Sequence, residues 1–193
     1  MNPWYAKAVV IAATVAMVAI RAPHGRRSTT VPIARNAKGR LETVLLSIAW
    51  MSFFVPILWI AAGSFAFADY ELRLVPLVAG TLLLAVGLWL FHRSHVDLGT
   101  NWSITLQVRE GHTLVTRGIY SRIRHPMYSS LFVQGVGQAL VVPNWVAGPS
   151  YFTALLLLVV FRLGPEERMM RERFGAEWDA YASRTNRIIP GVW

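Results

Sequence analysis

The sequence predicts an all-α fold: a polytopic integral membrane helical bundle of about five transmembrane helices with a C-terminal amphipathic helix. Three observations carry that expectation. Of 193 residues, 54% are hydrophobic and 15% charged, against about 25% charged in soluble domains. The apolar residues gather into long runs, and about 20 in succession cross the ~30 Å hydrocarbon core of a bilayer. The basic residues flank those runs, so the net charge of +9 points to membrane lipids with anionic headgroups and away from nucleic acid. The chain has no cysteine, which excludes disulfides and thiolate-bound metal.

The first run is Trp4 to Ile20, broken only by Lys7. Its positive charges, Arg21, Arg26 and Arg27, come after it, whereas a secretory signal carries them ahead of its apolar stretch. A retained helix is expected. A polar loop, 21–40, follows. The second run is Leu41 to Phe67 and tolerates Pro56 and Gly63; the third is Leu74 to Phe91. Residues 92–126 are polar, with no stretch able to span. Met127 to Val142 and Trp145 to Phe161 read as a helical hairpin turning at Pro143-Asn144. Its helices are short enough to be sunk in the protein rather than to span. Gly164-Pro165 is expected to interrupt the last helix. From Glu166 to about Tyr181 an amphipathic helix presents Met169, Met170, Phe174, Trp178 and Tyr181 on its apolar side. Gly135-Val136-Gly137 lies inside an apolar run with no strand before it, and reads as helix packing through small residues.

Five spans place three basic segments on one face. Loop 21–40 holds six Lys or Arg, segment 92–126 five, and the tail from Arg162 six, of 19 in the chain. Cytoplasmic loops are rich in Lys and Arg. The expected orientation is N-terminus outside and C-terminus in the cytoplasm, in the plasma membrane of a prokaryote.

The stretch "SRIRHPMYSS", residues 121–130, sits just ahead of the fourth run. The residue before a proline avoids the helical region, and proline suits the first helical position. His125 should therefore cap a helix that Pro126 opens. Helix starts present free N–H groups and partial positive charge, suited to a carboxylate. Tyr128 follows, with Arg122 and Arg124 just outside. An interfacial belt of aromatic and basic residues is the plainer reading of this stretch alone. A second polar junction, "FRLGPEERMM" at 161–170, falls on the same face, and the two together can form a pocket with segment 92–126 as a third wall. His92 and His95, with Asp97 near, read as anchors or pocket walls rather than metal ligands, and no metal is expected.

"HTLVTRGIYSRIRHPMY", residues 112–128, resembles the signature of the isoprenylcysteine carboxyl methyltransferase family and its phospholipid methyltransferase relatives. Arg162, Glu166 and Glu167 match a second element of that family, and "FGAEWDAYASRTNRIIP" a third. "DLGTNWS" at 97–103 resembles the stretch that precedes the signature. The resemblance covers about residues 98–190. Ile119 stands where many relatives have proline, and Trp178 replaces a tyrosine.

The resemblance implies an integral membrane enzyme that uses S-adenosylmethionine and releases S-adenosylhomocysteine. It implies that Gln107, His112, Thr113, Leu114, Val115, Gly118, Tyr120, His125, Pro126, Met127, Tyr128 and Glu166 form the cofactor site, and that Arg162 faces a lipophilic methyl acceptor. Residues 1–97 would then be substrate-related membrane helices and 98–193 the methyltransferase core. A carboxylate acceptor is already ionised, and a bidentate arginine orients it well, which favours carboxyl O-methylation of an isoprenylcysteine-like molecule. An ethanolamine lipid would need a base, for which Glu167 is the candidate. A thiol acceptor, and a membrane scaffold or lipid-binding protein without catalysis, are the remaining alternatives.

Overall fold

The structure, a computed structural model, describes residues 1–29, 33–36, 39–99, 107–109 and 113–191. Six helices account for most of it: α1 (Trp4–Thr29), α2 (Arg40–Ala62), α3 (Leu74–Leu98), α4 (Pro126–Val141), α5 (Ser150–Phe174) and α6 (Ala176–Ser183). Two short strands, β1 (Ile33–Asn36) and β2 (Gln107–Arg109), pair antiparallel and join the 21–40 loop to the 92–126 segment.

Three helices are long and apolar enough to cross a membrane: Trp4–Gly25 within α1, then α2 and α3. Their outward surfaces are apolar, with Val15, Met51, Leu82 and Trp89 all more than half exposed, as lipid-facing positions are. The protein is an integral membrane protein. The fourth and fifth expected spans are different. α4 has 16 residues, about 24 Å at 1.5 Å per residue, short of the ~30 Å core. α5 is long, but its second half is charged.

Several boundaries move from their expected places. α1 runs on through Arg21 and Pro23, and α3 through His92 and Asp97. Hydropathy marks where hydrocarbon ends, whereas a backbone helix ends where its hydrogen bonds do. The hairpin link is longer than a Pro143-Asn144 turn: α4 stops at Val141 and α5 starts at Ser150, leaving Trp145 exposed between them.

The expected break at Gly164-Pro165 is absent, because α5 continues through Pro165. An interior proline costs about 3 kcal/mol, from the lost N–H bond and the clash with the carbonyl four residues back, and the ring of Pro165 is exposed. On the inner side Val159 and Leu163 are buried with Ile188. Arg162, Glu166 and Glu167 are held by ion pairs on either side of the proline. The break comes instead at Gly175, whose φ of 53° is left-handed and whose N–H caps Arg171 O at 2.8 Å.

α3 and α4 pack closely through glycine, as the Gly135-Val136-Gly137 run implied. A Cβ on Gly137 would stand 2.9 Å from Gly80 O and Leu84 Cγ, and one on Gly80 would stand 2.7 Å from Gly137 O. Two cores follow. One joins α1, α3 and the α4–α5 link through Ala6, Leu77, Leu84, Val141 and Ala147. The other draws Met17, Leu45, Phe91, Leu131 and Leu155 from all five long helices. Gly137→Val should force α3 and α4 apart and destabilise the bundle by about 1–3 kcal/mol, read as a lower thermal midpoint in detergent; an unchanged midpoint would mean that this close approach is not required.

Candidate active site

The second core closes one side of a cavity of about 250 Å³. Its polar end is built by the helix starts and loops at the C-terminal end of α3. His125, with φ −124° and ψ 58°, caps α4, and Pro126 occupies its first turn, fully buried. Tyr128, one turn in, donates its hydroxyl to Glu166 Oε2 at 2.6 Å. The His125 and Tyr128 rings stack at 5.7 Å. Across from them stand Thr113, Leu114, Val115 and Tyr120 from the 92–126 segment, and Met169, Trp178 and Tyr181 from α5 and α6.

The other end is apolar, lined by Met17, Leu46, Ala49, Phe53, Leu131 and Leu158. Arg162 lies on the wall between the two ends, its side chain 8% exposed. Its Nη1 is 3.4 Å from Glu42 Oε1, and its Nε is 3.6 Å from Glu166 Oε2 without a hydrogen bond.

Of the residues expected at the site, Thr113, Leu114, Val115, Tyr120, His125, Met127, Tyr128, Arg162 and Glu166 line this one cavity. Gly118 and Pro126 are not among its lining residues. The turn at Gly118–Ser121 is pinned by Asp97, which accepts the Ile119 N–H at 2.9 Å; Asp97 also pairs with Arg93. Gln107 stands in β2 opposite Asn36. His112 lies outside the described residues. His95 is fully buried against the rings of Phe91, at 4.3 Å, and His24, at 5.2 Å. Among the described residues no three His, Asp or Glu side chains converge as metal ligands.

Glu167 is placed differently from Glu166. Its carboxylate accepts from Arg124 Nε at 3.1 Å and Arg187 Nε at 3.1 Å, and lies 3.3 Å from His125 Nε2. Burial would raise its pKa. The His125 hydrogen bond and charge, and those of Arg124, outweigh burial and lower it to about 2. A carboxyl so held is a poor proton acceptor near neutral pH.

Arg124, read from sequence as part of an interfacial belt, is the centre of this cluster. Besides Glu167 it donates to Ala182 O at 2.8 Å, to Thr185 O and to Thr185 Oγ1. The C-terminal tail lies along the α4 entrance as a result: Arg124 N–H donates to Asn186 O, His125 N–H to Arg187 O, and Ser129 Oγ to Ile188 O. Sequence reasoning missed Arg124, Arg187 and Glu42 as members of the site. Glu42 had one available signal, a lone carboxylate at the head of an otherwise apolar run.

The fold and cavity define a polytopic membrane protein built around one ligand chamber. The family model for the isoprenylcysteine carboxyl methyltransferase (ICMT) family matches residues 71–172, more than half of the chain, and the chain belongs to that family. A probable protein-S-isoprenylcysteine O-methyltransferase of Oryza sativa subsp. indica is 25% identical over 97% of this chain and 95% of its own length. The Arabidopsis thaliana protein-S-isoprenylcysteine O-methyltransferase B is 26% identical over 58% of each chain. The human protein-S-isoprenylcysteine O-methyltransferase is 30% identical over 60% of this chain and 41% of its own. The chain thus spans little more than half of the Arabidopsis relative and less than half of the human one. A solved eukaryotic intramembrane Ras methyltransferase ICMT shares the fold, with a TM-score of 0.53 and 23% identity over 82% of this chain and 55% of that one.

The lowered Glu167 pKa predicts how tail docking depends on pH. Its folded value, about 2, lies below the ordinary 4.5, so the stabilisation is fully present above pH 4.5 and is lost as pH falls toward 2. Hydrogen-exchange protection of the Arg124, His125 and Asn186 amides should hold down to pH 4.5 and then decline. Glu167→Gln should remove that pH dependence; a decline already complete above pH 4.5 would place the titrating group elsewhere.

Proposed function

We propose that this protein is an S-adenosylmethionine-dependent methyltransferase that esterifies the carboxylate of an isoprenylcysteine-like acceptor. The observation that carries the reading is Arg162, a buried guanidinium in the wall of a chamber that has an aromatic, acidic end and an apolar one. Family membership supports the same reaction.

The chamber's polar end fits the cofactor. It offers Tyr120, Tyr128, Trp178 and Tyr181 for an adenine ring or a cationic sulfur, and Glu166 and Thr113 for hydroxyl or ammonium groups. The first turn of α4, behind His125, suits a carboxylate. Gln107 and His112 belong to the same segment and are proposed with these. Bound there, S-adenosylmethionine would supply a methyl group whose transfer forms an O–CH3 bond and breaks an S–CH3 bond, with the electron pair left on sulfur and no proton to remove.

The residues of the chain orient and exclude. Arg162 keeps an Nε–H without a hydrogen-bond partner, and a carboxylate brought to this guanidinium would be held by charge-assisted hydrogen bonds. The apolar chamber takes the lipid chain out of water, which also keeps water from the reacting atoms. Glu167 supplies no free base, since Arg124, Arg187 and His125 already occupy it. That favours an ionised acid over an amine as acceptor. On this reading residues 1–97 shape the acceptor chamber and 98–193 hold the cofactor, and the chamber's polar end faces the cytoplasm.

Arg162→Lys keeps the charge and loses the fork. Turnover of a prenylcysteine acid should fall by on the order of a hundredfold, while cofactor affinity measured calorimetrically stays near wild type. Turnover at the wild-type rate would reduce Arg162 to a packing residue. For orientation, cysteine placed at exposed Ser183 should react with an impermeant thiol reagent only from the cytoplasmic side, and labelling from outside would invert the topology.

A further inference from the structure

Glu42 lies in the first turn of α2, outside the stretch that matches the family. Its side chain is 6% exposed, and Oε1 is 3.4 Å from Arg162 Nη1. Removing one partner of a buried pair leaves the other charge uncompensated, so Arg162 needs a counter-ion here. The contact is nonetheless loose, since a charge-assisted N–H···O bond usually measures about 2.7–2.9 Å. Arg162 is 3.6 Å from Glu166 on its other side. One guanidinium therefore stands between two carboxylates and is locked by neither.

A third carboxylate, that of the acceptor, would have to reach the same guanidinium. Glu42 and the acceptor acid are chemically the same group, so they compete for Arg162. The methylated product is a neutral ester, a much weaker partner for a buried cation. Charge at the site changes in the same step that makes the product. Arg21 of α1 lines the same chamber and brings a second positive charge to its wall, which eases the coexistence of two carboxylates while the acid is bound.

We propose that Glu42 is an exchangeable counter-ion of Arg162: it yields the guanidinium to an acceptor carboxylate and reclaims it from the neutral ester, which sets acid-over-ester selectivity and drives product out. This rests on the carboxyl-methylation reading. Glu42 acts through Arg162 and is a positioning and selectivity residue, not one that touches the reacting atoms.

The test uses the full-length protein in detergent, with a prenylcysteine free acid and its methyl ester as probes. Binding and product inhibition are measured for wild type, Glu42→Gln and Glu42→Asp. With a neutral residue at 42, the acid should bind about tenfold more tightly, the scale of one charge-assisted hydrogen bond. Ester inhibition should strengthen, so that KM and kcat fall together. Glu42→Asp, whose carboxylate is drawn back by one methylene, should shift both in the same direction by less, and it reports the effect if the glutamine variant does not fold. Unchanged or weakened acid binding, with no rise in ester inhibition, overturns the proposal and leaves Glu42 a structural counter-ion. A wild-type protein that binds S-adenosylmethionine but neither prenylcysteine form overturns the functional reading itself, and the proposal with it.

Discussion

The part-buried contact between Arg124 and Glu167 organises the end of the bundle that holds the start of α4. It joins three stretches of chain that are far apart in sequence: the approach to α4, the middle of α5, and the tail beyond α6. Arg124 suits this task because its planar fork reaches a carboxylate and several carbonyls at once. Replacing a buried ion pair with apolar groups is often neutral for stability, so its value here is geometric. With the tail docked, Ile188 packs on Val159 and Leu163, and Trp178 and Tyr181 are turned into the chamber. Without the Arg124 side chain the bonds to Ala182 and Thr185 would be lost, and the tail would be left to Arg187, Ser129 and its backbone bonds.

The opposite end of the bundle is fastened by a second polar knot of different chemistry. Asn144 is fully buried, donates to Phe65 O and Asp69 Oδ1, and accepts from the Val146 and Ala147 amides. Trp59 Nε1 donates to the same Asp69 oxygen. Where lipid surrounds a fold, backbone and side-chain polar groups must be satisfied internally, and this knot does so for the links on that side. Between the knots, α3 and α4 meet through glycine rather than large side chains. On the α1, α2 and α5 side the chamber is lined by larger side chains, Met17, Phe53 and Leu158 among them.

What could be read in the sequence follows from what hydropathy and local backbone rules encode. The apolar runs locate α1, α2 and α3, and the His-Pro pair locates the start of α4, because both depend on residues close in sequence. Helix ends were misjudged wherever polar residues extend a helix past the hydrocarbon, as at His24 and Asp97. Pro165 was misread because its local penalty is outweighed by contacts made with residues 38 to 120 positions away, Tyr128 and Glu42 among them. Arg124 looked like an ordinary interfacial cation, and only the docked tail shows that it shares one carboxylate with Arg187. Most of the chamber's polar lining was nevertheless legible, since it follows the motif from Thr113 to Tyr128 together with Arg162 and Glu166.

The continuity of α5 through Pro165 has a consequence that a broken helix would lack. At 3.6 residues per turn, residues 162, 166, 169 and 170 fall along one side of the helix, and each lines the chamber. Glu167 is rotated by about 100° from Glu166 and so turns away, toward Arg124, Arg187 and the tail. Two adjacent glutamates thereby receive separate places, one facing the chamber and one fastening the wall. Because both ride on one rigid helix with Arg162, the spacing between guanidinium and Glu166 is set by backbone geometry. A flexible break at Gly164-Pro165 would have let that spacing vary, and in the proposed methyl transfer alignment is most of what the reaction asks of a protein.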